Sequence, residues 1–139
     1  KRAEENIKIM FGHMNYAPIV PISAKEDTGI KQLLNTVMEL YNQLNRKIDT
    51  ASLNTALRDW VTAYPPPASR SASFKMRYIT QTSVNPVEFL IFATRPEVVQ
   101  QTYLSYIKNK VRTDLGFDKI PVKVELKASR TKWENRSRT

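Results

Sequence analysis

Apolar residues in the first third of the chain predict helix, strand and helix in turn. Residues 2–14 carry apolar side chains at helical spacing, and the short apolar run 17–22 predicts a buried strand. Because the run contains two prolines, we expect the strand to lie at a sheet edge or the prolines to lie at a strand end. Residues 29–47 place apolar side chains on one helical stripe with polar residues opposite, which predicts an amphipathic helix.

A second unit begins where Asp49 or Thr50 can cap a helix that ends at the prolines of 65–67. Residues 73–84 alternate as a half-buried strand does. The side chains expected to face inward are Phe74, Met76 and Tyr78. Asn85-Pro86 supplies the turn to residues 88–93, whose nearly continuous apolar run predicts a central strand.

The last elements of this unit are a helix and a third strand. Arg95-Pro96-Glu97 opens the helix, because proline suits a first helical turn, and Gly116 is a natural stop. Residues 120–127 then alternate as a strand. The chain is therefore assigned to the α/β class, with an α+β unit ordered α-β-β-α-β and three strands covered by helices on one side. The opposite face would carry the basic residues Lys75, Arg77, Lys123 and Lys127.

Charge is distributed unevenly along the 139 residues, whose net charge is +9. Residues 1–64 hold 8 basic and 7 acidic side chains, whereas residues 65–139 hold 14 and 6. The excess favours an anionic partner of the second half, such as nucleic acid, over the alternative of a solvated basic surface without a partner. Residues 129–139 are polar and basic and are predicted to be disordered. The tail residues that could contact RNA phosphates are Arg130, Lys132, Arg136 and Arg138, with Trp133 as a base-stacking candidate.

The sequence has few of the residues and motifs that catalytic sites require. The chain has one histidine, no cysteine and only three glycines, so neither a metal site nor a phosphate-cradling glycine loop is predicted. No apolar run is long enough to cross a membrane. The aromatic residues Phe74, Tyr78, Phe89 and Phe92 could stack on bases, but their spacing within strands favours a place in the core.

Ser23-Ala24-Lys25 lies between the predicted strand 17–22 and the helix 29–47. Backbone N–H groups at the carboxyl end of such a strand face a crevice and can donate to a purine carbonyl. In this setting the three residues resemble the guanine-contacting loop at the end of a GTPase domain of the translation-factor class.

The segment that follows is similar to one family, the bacterial double-GTPase ribosome-assembly proteins called Der or EngA. The similarity runs from about Tyr16 to Leu126. The residues that carry it include Arg46, Lys47, Ile48, Asp49, Thr50, Leu53, Asn54, Pro65, Pro66, Pro67, Lys75, Tyr78, Thr80, Gln81, Asn85, Pro86, Phe89, Phe92, Tyr103, Tyr106, Asn109, Val111, Arg112, Phe117 and Pro121.

The resemblance implies a division into three parts. Residues 1–46 would be the last helix, strand and helix of a second P-loop GTPase domain, 47–128 a KH-like domain, and 129–139 a basic tail. The phosphate loop, the switches, the guanine motif, GTP and Mg²⁺ would belong to upstream sequence. Ser23, Ala24 and Lys25 would remain as the guanine-contacting loop, and no residue here carries over as catalytic or metal-binding.

The resemblance also implies partners and location. These are ribosomal RNA of the large (50S) subunit and the GTPase domains of the parent chain, in the bacterial cytoplasm, with no membrane. The chain departs from the family at Val87 and at Lys119-Ile120, both in turns. It also lacks the GxxG loop with which ordinary KH domains clamp RNA, as the family does.

Two alternatives to this function stay open. The KH-like unit could instead dock on the first GTPase domain without binding RNA. A self-contained enzyme is the least favoured.

Residues 17–44, without the rest of their sheet, would expose a strand edge and an apolar stripe. Self-association or upstream residues are expected to cover them, ahead of fold-back on the KH-like unit.

Overall fold

A computed structural model of the protein describes residues 1–130. The helices are α1 (Arg2–Met10), α2 (Ile30–Leu44), α3 (Thr50–Ala63) and α4 (Gln101–Asp114), with 3₁₀ turns at Gly12–Met14 and Pro96–Val98. The strands are β1 (Met76–Ser83), β2 (Val87–Ala93) and β3 (Val122–Ala128). From α3 onward the order is α-β-β-α-β, so the predicted mixed fold with a three-stranded sheet is confirmed.

The sheet has the order β1-β2-β3. β1 and β2 form an antiparallel hairpin, whereas β3 returns through α4 to lie parallel to β2. The central position of β2 explains its nearly continuous apolar sequence. Its inward residues Val87, Phe89, Ile91 and Ala93 are all buried, while the residues between them are half-buried.

The core lies between the inner face of the sheet and the helices α3 and α4. α3 contributes Leu53, Leu57 and Trp60, whose spacing of three and four residues places them on one helical face. The core residues from α4 are Tyr103, Ile107 and Val111. The Tyr103 hydroxyl donates to the Tyr64 carbonyl at 2.9 Å. The α3–α4 contact therefore also satisfies a carbonyl beyond the end of α3.

Residues 17–22 do not form the predicted strand, although they are half-buried as far as Val20. Among the described residues, none pairs with them in a β-ladder. A strand is stabilised by hydrogen bonds to its neighbours, and Pro18 and Pro21 have no N–H to contribute. The one β-bridge nearby joins Ser23 to Thr28 within a turn.

Three predicted helices are shorter than expected, and the one predicted over 29–47 runs only from Ile30 to Leu44. The helix predicted over 2–14 ends at Met10, and a 3₁₀ turn follows. The segment Arg95-Pro96-Glu97 does not open α4, because Val99 has an extended backbone that separates the Pro96–Val98 turn from the helix. The Arg95 guanidinium donates instead to carbonyls of the 70–73 loop.

Asp49 is the N-cap of α3, which confirms one of the two predicted caps. Its carboxylate accepts from the Ser52 amide at 2.9 Å. Hydrogen bonding to Ser52, first through its side chain and then through its backbone amide, lowers the pKa of Asp49 below its ordinary value.

The Asp49 cap predicts that the difference in stability between wild type and a variant without the cap depends on pH. A carboxyl whose pKa is lower in the folded state stabilises that state above its unfolded-state pKa, and this contribution is lost as pH falls through the folded-state value. Asp49→Ala should therefore lower the melting temperature at neutral pH, and the difference from wild type should narrow in acid. Melting curves followed by circular dichroism between pH 2 and pH 7 measure it. A difference that does not change with pH would contradict the assignment.

None of the helices among residues 1–130 combines the length and the apolar character that a bilayer crossing requires.

Candidate nucleic-acid interface

A bulge in β1 reverses the inward and outward positions that the sequence predicted. The pairing register shifts between Met76 and Tyr78. One extra residue in a strand moves the following side chains to the opposite face. Tyr78, predicted to face inward, is 42% exposed, and Ile79 and Gln81 are buried instead. The prediction for Tyr78 is therefore wrong.

The outer face of the sheet carries both signs of charge. Lys123 and Lys127 lie there as predicted, at positions paired with Glu88 and Phe92 of β2. The Lys123 ammonium is 2.7 Å from a Glu125 carboxylate oxygen and 3.9 Å from one of Glu88. This pairing raises the pKa of Lys123 and lowers that of Glu125. The outer face is therefore not uniformly basic, because two carboxylates lie beside Lys123.

The two basic candidates of the first strand lie at its start. Lys75 precedes β1, and its backbone pairs with Thr94. Arg77 is the bulge residue and lines a groove between α3 and β1. Arg77 is therefore separated from the Lys123–Glu125 pair by the width of the sheet, since β1 and β3 are opposite edges.

The groove between α3 and β1, called here the edge groove, has a volume of about 640 Å³. Its apolar wall includes Leu57, Val61 and Met76, and its charged side chains are Arg58 and Arg77. Asn54 lies in it as well, and its amide bridges the edge of β1 by accepting from the Ile79 N–H and donating to the Ile79 carbonyl, both at 3.0 Å.

The aromatic residues of the strands divide between the two faces. Phe74 and Phe89 are buried in the core, as predicted. Tyr78 and Phe92 are paired across β1 and β2, and their ring centroids are 6.3 Å apart. Because Tyr78 is exposed and Phe92 is only half-buried, the prediction that all four residues belong to the core is wrong for this pair.

Gln81 is a structurally important residue that the periodicity missed. Its side chain is buried, accepts from the Ile48 amide at 2.8 Å and donates to the Arg46 carbonyl at 2.8 Å. The Lys47 ammonium donates to the Gln81 carbonyl at 2.9 Å. Gln81 therefore fastens the linker 46–48 to the edge of β1. The one sequence feature that could have identified Gln81 is that it belongs to the residues shared with the Der or EngA family.

Polar contacts at its C-terminal end join helix α2 to the α-β-β-α-β unit. The buried Gln43 amide donates to Asp118 at 2.9 Å and accepts from the Lys119 amide at 3.1 Å. The Arg46 guanidinium donates to the Leu115 and Gly116 carbonyls. Leu40 and Leu44 pack against the core of the unit. The end of α2 thus packs directly on the core of the α-β-β-α-β unit.

An apolar stripe on α2 nevertheless stays exposed. Leu34, Val37, Met38 and Tyr41 are each more than half exposed, whereas Leu33 is half-buried. The exposed apolar residues of the segment before it are Ile7, Ile9, Met10, Phe11, Met14 and Ile22.

Ser23, Ala24 and Lys25 form part of a tight turn. Ser23 and Thr28 exchange backbone hydrogen bonds of 3.0 and 3.1 Å, and the Ser23 hydroxyl accepts from the Glu26 amide. Gly29 closes the turn with φ of +80°, a conformation that favours glycine. Ala24 and Lys25 are exposed, and the Ala24 amide donates to no residue that the structure describes.

The tail candidates are only partly covered by the structure. Arg130 is exposed. Lys132, Trp133, Arg136 and Arg138 lie outside the described residues. Within residues 1–130 no group of three His, Asp or Glu side chains is placed to hold a metal ion.

Comparisons with known proteins agree with this architecture. A family model described as the KH-domain-like C-terminal domain of EngA bacterial GTPase enzymes matches residues 47–127. These are the residues that form α3, the three strands and α4.

Full-length relatives match over most of the chain. GTPase Der of Treponema pallidum subsp. pallidum is 44% identical over 126 residues, which is 91% of this chain and 27% of the relative. GTPase Der of Persephonella marina is 36% identical over 126 residues, 91% of this chain and 28% of the relative. The chain thus spans less than a third of the length of these relatives.

Proposed function

The chain belongs to the EngA/Der family of bacterial GTPases, and on that premise we propose that it attaches the GTPase domains of its parent protein to ribosomal RNA during assembly of the large subunit. The observation that carries the proposal is the KH-like match over residues 47–127. That region holds the three-stranded sheet and most of the excess positive charge of the chain. A basic domain of a nucleic-acid-binding class suits an RNA partner.

The attachment of α2 to the KH-like unit supports a second part of this proposal, in which movement of the GTPase domain is transmitted to the RNA-contacting unit. Residues 1–46 resemble the end of a GTPase domain, and Gln43 and Arg46 bind the turn 115–119 directly. A change of nucleotide state that moves α2 would therefore move the RNA-contacting unit with it. Ser23, Ala24 and Lys25 would contact guanine once GTP is bound in the parent, with Mg²⁺ held by other sequence.

GTP hydrolysis is proposed for the parent protein and not for this chain alone. Phosphate cradling and metal binding supply most of the rate and affinity in such enzymes, and this sequence has no GxxxxGK[ST] motif. The place of action proposed for the parent is the bacterial cytoplasm, in association with ribosomal subunits.

A second candidate function is docking on a GTPase domain without RNA. The exposed apolar stripe of α2 favours a protein partner for that surface, either sequence of the parent chain or a second copy of this one. The two functions differ in their response to salt, because RNA binding releases counterions whereas apolar docking does not.

We predict weak, salt-sensitive binding to structured ribosomal RNA, with the tail as a major contributor. Each phosphate neutralised should add about 0.7 (single strand) or about 0.9 (duplex) to the magnitude of the log–log salt slope. Filter binding to 23S ribosomal RNA between 50 and 300 mM KCl measures the slope. Changing four tail residues to Gln should flatten it. These residues are Arg130, Lys132, Arg136 and Arg138.

A matched control removes four exposed positive charges far along the sequence from the tail. The residues changed to Gln are Lys1, Arg2, Lys8 and Lys31. A slope that falls equally in both variants would mean that only net charge matters. An unchanged slope in the tail variant would remove the tail from the interface.

A further inference from the structure

We propose that the edge groove, with Tyr78 and Phe92 at its sheet end, is a binding site for single-stranded RNA. The inference rests on the proposed RNA-contacting function and names both the surface and the form of RNA that it takes. The site lies between α3 and the edge strand β1, and it uses none of the tail residues.

The shape and lining of the groove suit a nucleotide. Its volume of about 640 Å³ falls within the range of ligand clefts, and it is partly open to solvent. Leu57, Val61 and Met76 provide an apolar wall against which a base or ribose can lie. Thr50 and Thr62 add hydroxyl groups at the same surface.

The charge of the groove matches a phosphate backbone. Arg58 and Arg77 both line it, and no acidic side chain does. Within residues 1–130 neither guanidinium makes an ion pair, and Arg58 donates only to the Thr55 hydroxyl at 3.2 Å. Both arginines are exposed, so their donors are available to phosphate oxygens.

The aromatic pair supplies a stacking surface. Tyr78 lines the groove, and its ring is tilted by 46° to that of Phe92 on the outer face of the sheet. Phe92 is paired with Lys127 of β3, so a third cation lies beyond the aromatic pair. An exposed aromatic ring beside cations, as at Tyr78, is typical of surfaces that bind single strands by base stacking.

Two observations favour single-stranded RNA over other partners. In a duplex the bases are already stacked and paired, so the aromatic pair would have no free base to contact. A peptide that extended the sheet would need the N–H and C=O groups of the β1 edge. Asn54 already occupies both groups of Ile79.

The mode of binding would differ from that of ordinary KH domains. The three glycines, at 12, 29 and 116, lie too far apart to form a GxxG clamp on the RNA backbone. The edge groove would replace that clamp with two guanidinium contacts and base stacking.

The test is fluorescence anisotropy of the 139-residue chain with fluorescein-labelled U8 and A8 RNA and with a labelled RNA hairpin. The double variant Arg58→Ala/Arg77→Ala removes the cations of the groove. Lys8→Ala/Lys31→Ala is the matched control, because it removes the same charge from exposed positions outside the groove. Tyr78→Ala and Tyr78→Phe separate loss of the ring from loss of the hydroxyl.

We expect the arginine variant to bind U8 and A8 at least tenfold more weakly and its salt slope to fall by about 1.4, for two single-strand phosphate contacts. Tyr78→Ala should lose about tenfold, and Tyr78→Phe and the control should stay within about threefold of wild type. Melting curves check that each variant folds. The substituted arginines are exposed, so this variant keeps the test valid even if Tyr78→Ala is unstable.

The contrary outcomes separate this inference from the proposed function. If wild type binds the oligonucleotides and the arginine variant loses no more than the control, the groove is not the site, whereas RNA contact stands. Binding to the hairpin alone would overturn the single-strand assignment. If the chain binds no RNA at all, both this inference and the RNA-contacting function fail, and a protein partner takes their place.

Discussion

Replacing Phe89 by Ala should lower the free energy of unfolding by about 3–5 kcal/mol, the usual cost of removing a buried phenylalanine. Phe89 is 1% exposed at the centre of the middle strand. Its ring packs edge-to-face on Phe117, with centroids 5.6 Å apart. The cavity cannot close readily, because both neighbouring strands are fixed to β2 by their ladders. Urea denaturation followed by circular dichroism measures the loss.

The matched control is Phe92→Ala, the same change in the same strand on the opposite face. Phe92 is half-buried and contacts Tyr78. We expect it to cost less than half as much as Phe89→Ala, since only part of its surface leaves water on folding. Equal losses for the two variants would contradict the assignment of the core to one face of the sheet.

Gln81→Ala should also destabilise the protein, by about 2–4 kcal/mol. The substitution leaves the Ile48 amide and the Arg46 carbonyl, both in part-buried hydrogen bonds, without their partner, and each orphaned group should cost about 1–2 kcal/mol, the lower part of the range for fully buried groups. The linker 46–48 would also lose its attachment to β1, so the Ile48 amide should exchange faster with solvent. Denaturation and hydrogen exchange measured by NMR report the two effects.

Two further variants show whether the amide itself is responsible. Gln81→Glu keeps the shape and the acceptor for Ile48 but cannot donate to Arg46 when ionised, so it should also destabilise. Gln32→Ala removes an exposed glutamine from α2 and should change stability by less than about 0.5 kcal/mol. A stable Gln81→Glu variant with a protected Ile48 amide would show that the donor bond is dispensable.

Periodicity predicts the elements that this chain completes by itself. α2, α3, β2 and β3 each have a partner among the residues described, so the apolar positions read from the sequence coincide with contacts in the fold. Residues 17–22 have the composition of a strand, but strand formation depends on a neighbour to pair with, which composition cannot supply. For that reason 17–22 is the one predicted strand that does not form.

The sequence predicted the positive charge of the candidate site but not the arrangement of its side chains. A bulge at Arg77 carries almost no sequence signal, yet it moves Tyr78 to the outside and brings Arg77 beside α3. Lys123 was identified correctly as an outer-face residue, but its pairing with Glu88 and Glu125 depends on the register of β2 and β3. Gln81 was missed because the partners of its buried amide are backbone groups, which periodicity does not identify.

The central claim, that the chain contacts RNA of the large ribosomal subunit, is tested most directly by sedimentation with purified bacterial subunits. The chain is mixed with 50S or 30S subunits and centrifuged through a sucrose cushion at 50 and at 300 mM KCl. We expect the chain to pellet with 50S subunits at low salt, to be released at high salt as counterion competition requires, and to stay in the supernatant with 30S subunits. A chain that stays in the supernatant with both subunits at 50 mM KCl, yet binds an isolated GTPase domain of a relative, would contradict the claim.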